Sequence, residues 1–114
     1  MKYALLAYTP PGRFDAMTDE ERAAWEADDA EFNAELADRY YIVSGQPFAD
    51  ADTATTVRVE DGAVRLTDGP FNEVAGQLGG IVIIDVPDLD TALDLARRSP
   101  ATRTGSLEVR PIRG

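Results

Sequence analysis

Gly79-Gly80-Ile81-Val82-Ile83-Ile84-Asp85-Val86 is the stretch that decides how this 114-residue chain folds. Successive side chains of a strand point to opposite faces, so an unbroken apolar run makes a strand apolar on both sides. Such a strand belongs in the middle of a sheet. After it, Pro87-Asp88 opens a helix whose predicted apolar face is Leu89, Ala92, Leu93 and Ala96, and Pro100 ends that helix. Gly105 to Ile112 then alternates Leu107, Val109 and Ile112 loosely with Glu108 and Arg110, and reads as the last strand. On the other side, Thr55 to Val59 and Ala63 to Thr67 flank Asp61-Gly62, a strong hairpin signal. Tyr41-Ile42-Val43 reads as a strand closing at Gly45-Gln46-Pro47. Thr18 followed by Glu21 is a capping box, and it opens a helix expected to run to about Arg39. The stripe of that helix is Trp25, Phe32 and Leu36, at offsets of seven and four. Lys2 to Tyr8, ended by Thr9-Pro10-Pro11-Gly12, is the first strand.

Without the hairpin the order is β-α-β-β-α-β, the ferredoxin-like α+β arrangement. Right-handed crossovers place the first and third core strands in the centre of the sheet, and these are the two that are apolar on both faces. Pro111 suits an edge strand. Two helices cover one face of a four-stranded sheet. A second copy of the sheet is the simplest cover for the other face, so a homodimer is expected. No repeat, linker or low-complexity segment interrupts the chain, which reads as a single domain over residues 1–114.

Composition removes several classes of function. The formal net charge of −10 repels nucleic acid and anionic lipid alike, and the one lysine and ten arginines are scattered. The apolar run Tyr3 to Tyr8 is too short to span a membrane or serve as a signal peptide. With no cysteine and no histidine, thiolate chemistry, a Ser-His-Asp triad and the usual zinc sites are out of reach. A cytoplasmic location is expected by default. Asp28, Asp29 and Glu31 lack ligand spacing for a hard cation, and no glycine-rich phosphate loop is present, so neither a metal nor a cofactor is expected.

Thr67-Asp68-Gly69-Pro70-Phe71-Asn72-Glu73 resembles the motif of the small YCII-related proteins named for their Asp-Gly-Pro-Phe sequence. The resemblance continues through Gln77-Leu78-Gly79-Gly80, Pro87-Asp88-Leu89-Asp90-Thr91-Ala92-Leu93, Pro100-Ala101 and Gly105 to Pro111. It implies a dimeric α/β barrel in which two ferredoxin-like sheets face one another. Members of that family are largely without assigned activity, and some are encoded beside alternative sigma factors. Relatives in the wider group look like small lyases or dehydrochlorinases with a His-Asp pair. This chain departs from the pattern: Val74-Ala75-Gly76 stands where a Thr-Lys-Glu stretch is usual, and the group's histidine falls on Asp29. The dyad therefore cannot operate here in its usual form.

Asp29 is the most informative residue, because it lies four after Trp25 and three before Phe32 on the apolar stripe. A carboxylate aimed at a core is desolvated, which suits a general acid or base; the alternative is a place at the solvent margin, paired with Arg22 or Arg39. Asp68 is either a turn carboxylate or a group at a pocket rim, with Phe71 as an apolar wall and Glu73 as a second acid. Tyr8 either fills core volume or points its hydroxyl between the sheets as a proton donor. Glu108 and Arg110 share a strand face, fit to pair with each other or to hold an anionic ligand. Trp25 is assigned to the core and is a candidate pocket wall. Three functions follow from these residues and the resemblance. The first is binding of a small molecule between helix one and the paired sheets. The second is a small lyase or isomerase with Asp29 or Asp68 as base and Tyr8 as acid. The third is a protein partner of a sigma-factor-type regulator.

Overall fold

Alternation along the strands and a 3.6-residue period along the helices sort the apolar side chains onto one shared layer. The structure, a computed structural model, describes residues 1–40, 42–72 and 77–114. Besides a 3-10 turn at Ala51–Thr53, its elements are β1 (Lys2–Tyr8), α1 (Asp19–Arg39), β2 (Ile42–Pro47), β3 (Thr55–Glu60), β4 (Ala63–Asp68), β5 (Leu78–Asp85), α2 (Leu89–Arg98), α3 (Ala101–Thr104) and β6 (Ser106–Pro111). Four strands form one sheet in the order β2-β5-β1-β6, with every neighbouring pair antiparallel. This is the ferredoxin-like β-α-β-β-α-β order, with β1 and β5 central as their two-sided apolar character requires. Pro111 lies on β6, an outer strand that pairs only with β1.

The register puts Tyr3 opposite Ile84, Leu5 opposite both Val82 and Val109, and Ile42 opposite Ile84. These residues face the helices. Tyr3, Leu5, Ile84 and Val86 form one buried cluster with Phe32 and Leu36 of α1 and with Ala92 and Leu95 of α2. The start of α1 is the capping box expected from Thr18 and Glu21: the Glu21 amide donates to Thr18 Oγ1 at 3.1 Å, and the Thr18 amide donates to Glu21 Oε1 at 3.2 Å. Arg98 Nη1 reaches Glu35 at 2.9 Å and Arg103 Nη2 reaches Asp28 at 2.9 Å, tying α1 to α2 and α3. Both pairs are largely exposed, so they orient more than they stabilise.

The predicted face of α2 needs correction. Ala92, Leu95 and Ala96 are buried, whereas Leu89 and Leu93 stand 45% and 41% exposed. Ala92, Leu95 and Ala96 follow the i, i+3, i+4 spacing of one stripe, and Leu93 lies about 100° around the helix from Ala92. The short helix α3 also went unread, whereas β2 ends at Pro47, within the Gly45-Gln46-Pro47 close that was expected.

The hairpin β3–β4 stands as a separate two-stranded sheet. Asp61 and Gly62, with φ of 50° and 78°, supply the paired left-handed residues of a type I′ turn. Its base is tied by the Gly69 amide to the Ala54 carbonyl and by Thr56 Oγ1 to the Gly69 carbonyl, each at 2.7 Å. Gly105 is required for a different reason. A Cβ there would run into the Tyr8 carbonyl oxygen and lie 3.0 Å from Thr9 Cα, so the chain enters β6 only with no side chain.

Leu36 is fully buried between α1 and the sheet. Leu36→Ala is expected to lower the unfolding free energy by about 2–5 kcal/mol, through lost transfer energy and the cavity left behind. Urea denaturation checks this, and a loss below about 1 kcal/mol would mean that α1 is not seated as described.

Candidate functional site

Toward its N-terminal end α1 lifts a row of side chains over the sheet without filling the space beneath. A cavity of about 570 Å³ remains there, walled by Leu5, Phe14, Trp25, Phe32, Val82 and Leu107 among others. The small residues Ala7, Gly45 and Gly80 on the helix-facing side of the strands leave the room. Phe14 enters from the segment between β1 and α1, and its ring meets Trp25 edge-on at 4.9 Å between centroids. Two hydrogen bonds hold this wall. Trp25 Nε1 donates to the Pro100 carbonyl at 3.1 Å, and Arg22 Nη2 donates to the Phe14 carbonyl at 2.8 Å.

Asp29 is the only ionisable side chain among the described residues that line the cavity. Its hydrogen-bond partner is Asn33, whose Nδ2 donates to Oδ2 at 3.3 Å, one helical turn on. Of the two partners envisaged for a solvent-margin position, Arg22 gives its Nη2 to the Phe14 carbonyl instead, and no ion pair joins Asp29 to Arg39 among the described residues. Desolvation pushes the Asp29 carboxyl above the usual aspartate range, against the smaller opposing effect of the Asn33 bond. Structural carboxylates go the other way. Glu35 is held low by the Arg98 guanidinium, and Asp88, the N-cap of α2, by the Thr91 hydroxyl and amide.

The remaining sequence candidates do not gather at this cavity. Trp25 joins Asp29 there. Asp68 is exposed at the end of β4, and Phe71 is 61% exposed; neither lines the cavity. Strand alternation puts Tyr8 on the sheet face opposite the helices, with Ala4 and Leu6. Arg110 is on that opposite face too, paired with Glu108 at 2.7 Å. Glu73 lies outside the described residues. Phe14 and Asn33 were missed by the sequence reading. An Asp-Asn pair four apart on a helix is a readable signal for Asn33, whereas Phe14 sits in a connection with no periodicity to place it. Among the described residues no three acidic side chains cluster as metal ligands do, and no helix is long and apolar enough to cross a membrane.

Comparison with known proteins agrees with this architecture. The family model of the YCII-related domain matches residues 1–114, and the chain belongs to that family. An uncharacterized protein of Rhizobium meliloti (strain 1021) is 35% identical over 119 residues, which span 98% of this chain and 92% of the relative. Among solved structures, the fold is similar to that of 5-chloro-2-hydroxyhydroquinone dehydrochlorinase from Burkholderia phenoliruptrix AC1100, in complex with 2,5-dihydroxybenzoquinone. The TM-score is 0.57 and the identity 14%, over 99% of this chain and 94% of that one. At that identity the likeness establishes the fold.

The upward shift at Asp29 makes a signed prediction. An acid with a higher pKa folded than unfolded keeps its proton more readily in the fold, so stability falls as pH rises through that range and stays lower at neutral pH. Asp29→Asn deletes the charge and keeps an acceptor for Asn33. The variant is expected to be more stable than the wild type at neutral pH, with the gap closing near about pH 3, where the carboxyl is protonated in both states. Urea midpoints at the two pH values measure this; a variant less stable at neutral pH would mark a favourable charge interaction instead.

Proposed function

We propose that this protein binds a small molecule in the cavity between α1 and the sheet, and that it does so as a homodimer. The observation that carries the reading is the cavity: about 570 Å³, apolar and aromatic in its walls, with one carboxylate among its described lining residues. Ligand pockets are typically about 300–1,000 Å³ and pair apolar walls with a few placed polar groups. Asp29, Asn33, Gln46 and Ser99 are such groups here.

Dimerisation is supported by the sheet face turned away from the helices. The half-buried Leu6 and Tyr8 of β1 and Ile83 of β5 lie on it, and among the described residues no helix packs against that side. A second sheet laid face to face would remove this apolar surface from water.

A second reading, a small lyase or isomerase with Asp29 as base, is favoured by the raised Asp29 carboxyl and by the fold-level likeness to a dehydrochlorinase. It ranks below binding because neither Asp68 nor Tyr8 lines the cavity to serve as a second acid–base group.

Gly45→Leu tests the cavity. A Cβ at Gly45 meets only Ile42 and Val82 side chains, at 3.4 and 3.9 Å, so the backbone accepts a side chain there, and the branches of a leucine are expected to occupy the space. Compounds from a metabolite panel are expected to raise the melting temperature of the wild type and to leave Gly45→Leu unmoved. If nothing shifts the wild type, or both proteins shift equally, the cavity is not the binding site. Turnover that disappears in Asp29→Asn would instead favour the enzyme.

Sedimentation tests the assembly. The wild type is expected to run as a dimer at micromolar concentration and Ile83→Asp as a folded monomer. A monomeric wild type would end the dimer proposal.

A further inference from the structure

The lining of the cavity carries information about the charge of what enters it. No lysine or arginine is among its described lining residues, and the single ionisable group is the Asp29 carboxylate. Arg22 stands one turn before Trp25 on α1 but does not line the cavity; its Nη2 donates to the Phe14 carbonyl at 2.8 Å, and its Nε is buried with no partner among the described residues. Among the described lining residues an anionic ligand would meet a like charge and no countercharge. The whole molecule adds to this bias, since a net charge of −10 on 114 residues lowers the local concentration of anions and raises that of cations.

Aromatic rings line the same cavity as the carboxylate. Trp25, Asp29 and Phe32 occupy positions i, i+4 and i+7 of α1 and therefore share one face of the helix, and all three line the cavity. Phe14 brings a third ring, packed edge-on against Trp25. The faces of aromatic rings are electronegative and attract a cation within about 6 Å of the ring centre, most strongly where water is excluded. A cluster of rings around a carboxylate is the chemistry by which proteins hold alkylammonium groups. Asp29 also has spare acceptor capacity, because among the described residues its one hydrogen bond, from Asn33, occupies Oδ2.

We propose that the ligand is an organic cation, an amine or quaternary ammonium on an apolar body, with its charge held between Asp29 and the rings of Phe14, Trp25 and Phe32. The inference rests on the reading of the cavity as a small-molecule site and adds the charge and class of the ligand. The ammonium is charge-paired with Asp29 through Oδ1, and the apolar body lies against Leu5, Val82 and Leu107. No covalent step is involved.

Trp25 is the sole tryptophan, so its fluorescence reports on the cavity directly. The test is a titration of the full chain, at low ionic strength, with benzyltrimethylammonium, benzylamine, benzyl alcohol and benzoate, with calorimetry as a second readout. The two cations are expected to bind about tenfold more tightly than the alcohol, and benzoate more weakly still. In Asp29→Asn the advantage of the cations should vanish while the affinity for benzyl alcohol stays within about twofold. Benzoate binding as tightly as benzylamine, or a cation preference that survives in Asp29→Asn, would overturn the inference. The two readings fail separately: benzyl alcohol binding as well as the cations ends the cation assignment and leaves the cavity as a ligand site. Failure of all four compounds to bind would end both.

Discussion

The pairing of β1 with β5 governs the rest of the architecture. Both strands are apolar on both faces, so neither is stable at an edge or with one side in water. Placed side by side, they require a strand on each flank and a layer on each face. β2 and β6 supply the flanks, and α1 and α2 supply one face. The seat of α1 follows from the same constraint. Leu36 and Phe32 lie in one buried cluster with Tyr3, Leu5 and Ile84, and so hold the helix against the centre of the sheet.

The cavity is a consequence of how that seat ends. Near Leu36 the layers meet tightly, but one and two turns earlier the strands offer Ala7, Gly45 and Gly80 where larger side chains would close the gap. Trp25 does not fill it, because its ring is turned to meet Phe14 and its N–H is fixed on the Pro100 carbonyl. An open apolar cleft of this size leaves its lining against water instead of against protein. Asp29 adds a partly desolvated carboxylate with a neutral partner. Both features lower stability in the free protein, and both are what a binding site needs.

The hairpin presents a different balance. Val57, Val59, Val64 and Leu66 sit on one of its faces, paired across the two strands, and each is more than 60% exposed. The turn at Asp61-Gly62 and the two hydrogen bonds at its base set its shape, not packing against the main sheet. A two-stranded ribbon of this kind is marginal by itself.

The order of elements, the central place of β1 and β5, the capping box at Thr18 and the turn at Asp61-Gly62 were all legible in the sequence, because each depends on near neighbours or on a simple period. Asp29 was legible as a misfit for the same reason: an acid on an apolar stripe is visible from spacing alone. The tertiary structure decided which candidates share a site. Trp25 and Asp29 meet Phe14 in one cavity, while Tyr8 and Arg110 go to the opposite side of the sheet, Asp68 ends the hairpin and Phe71 stands exposed beyond it. It also turned α2 so that Leu95, not Leu93, reaches the core. Spacing along a chain specifies which residues share a face of one element, whereas the direction of that face, and the gap left beneath it, depend on side-chain volumes contributed by strands far away in the sequence.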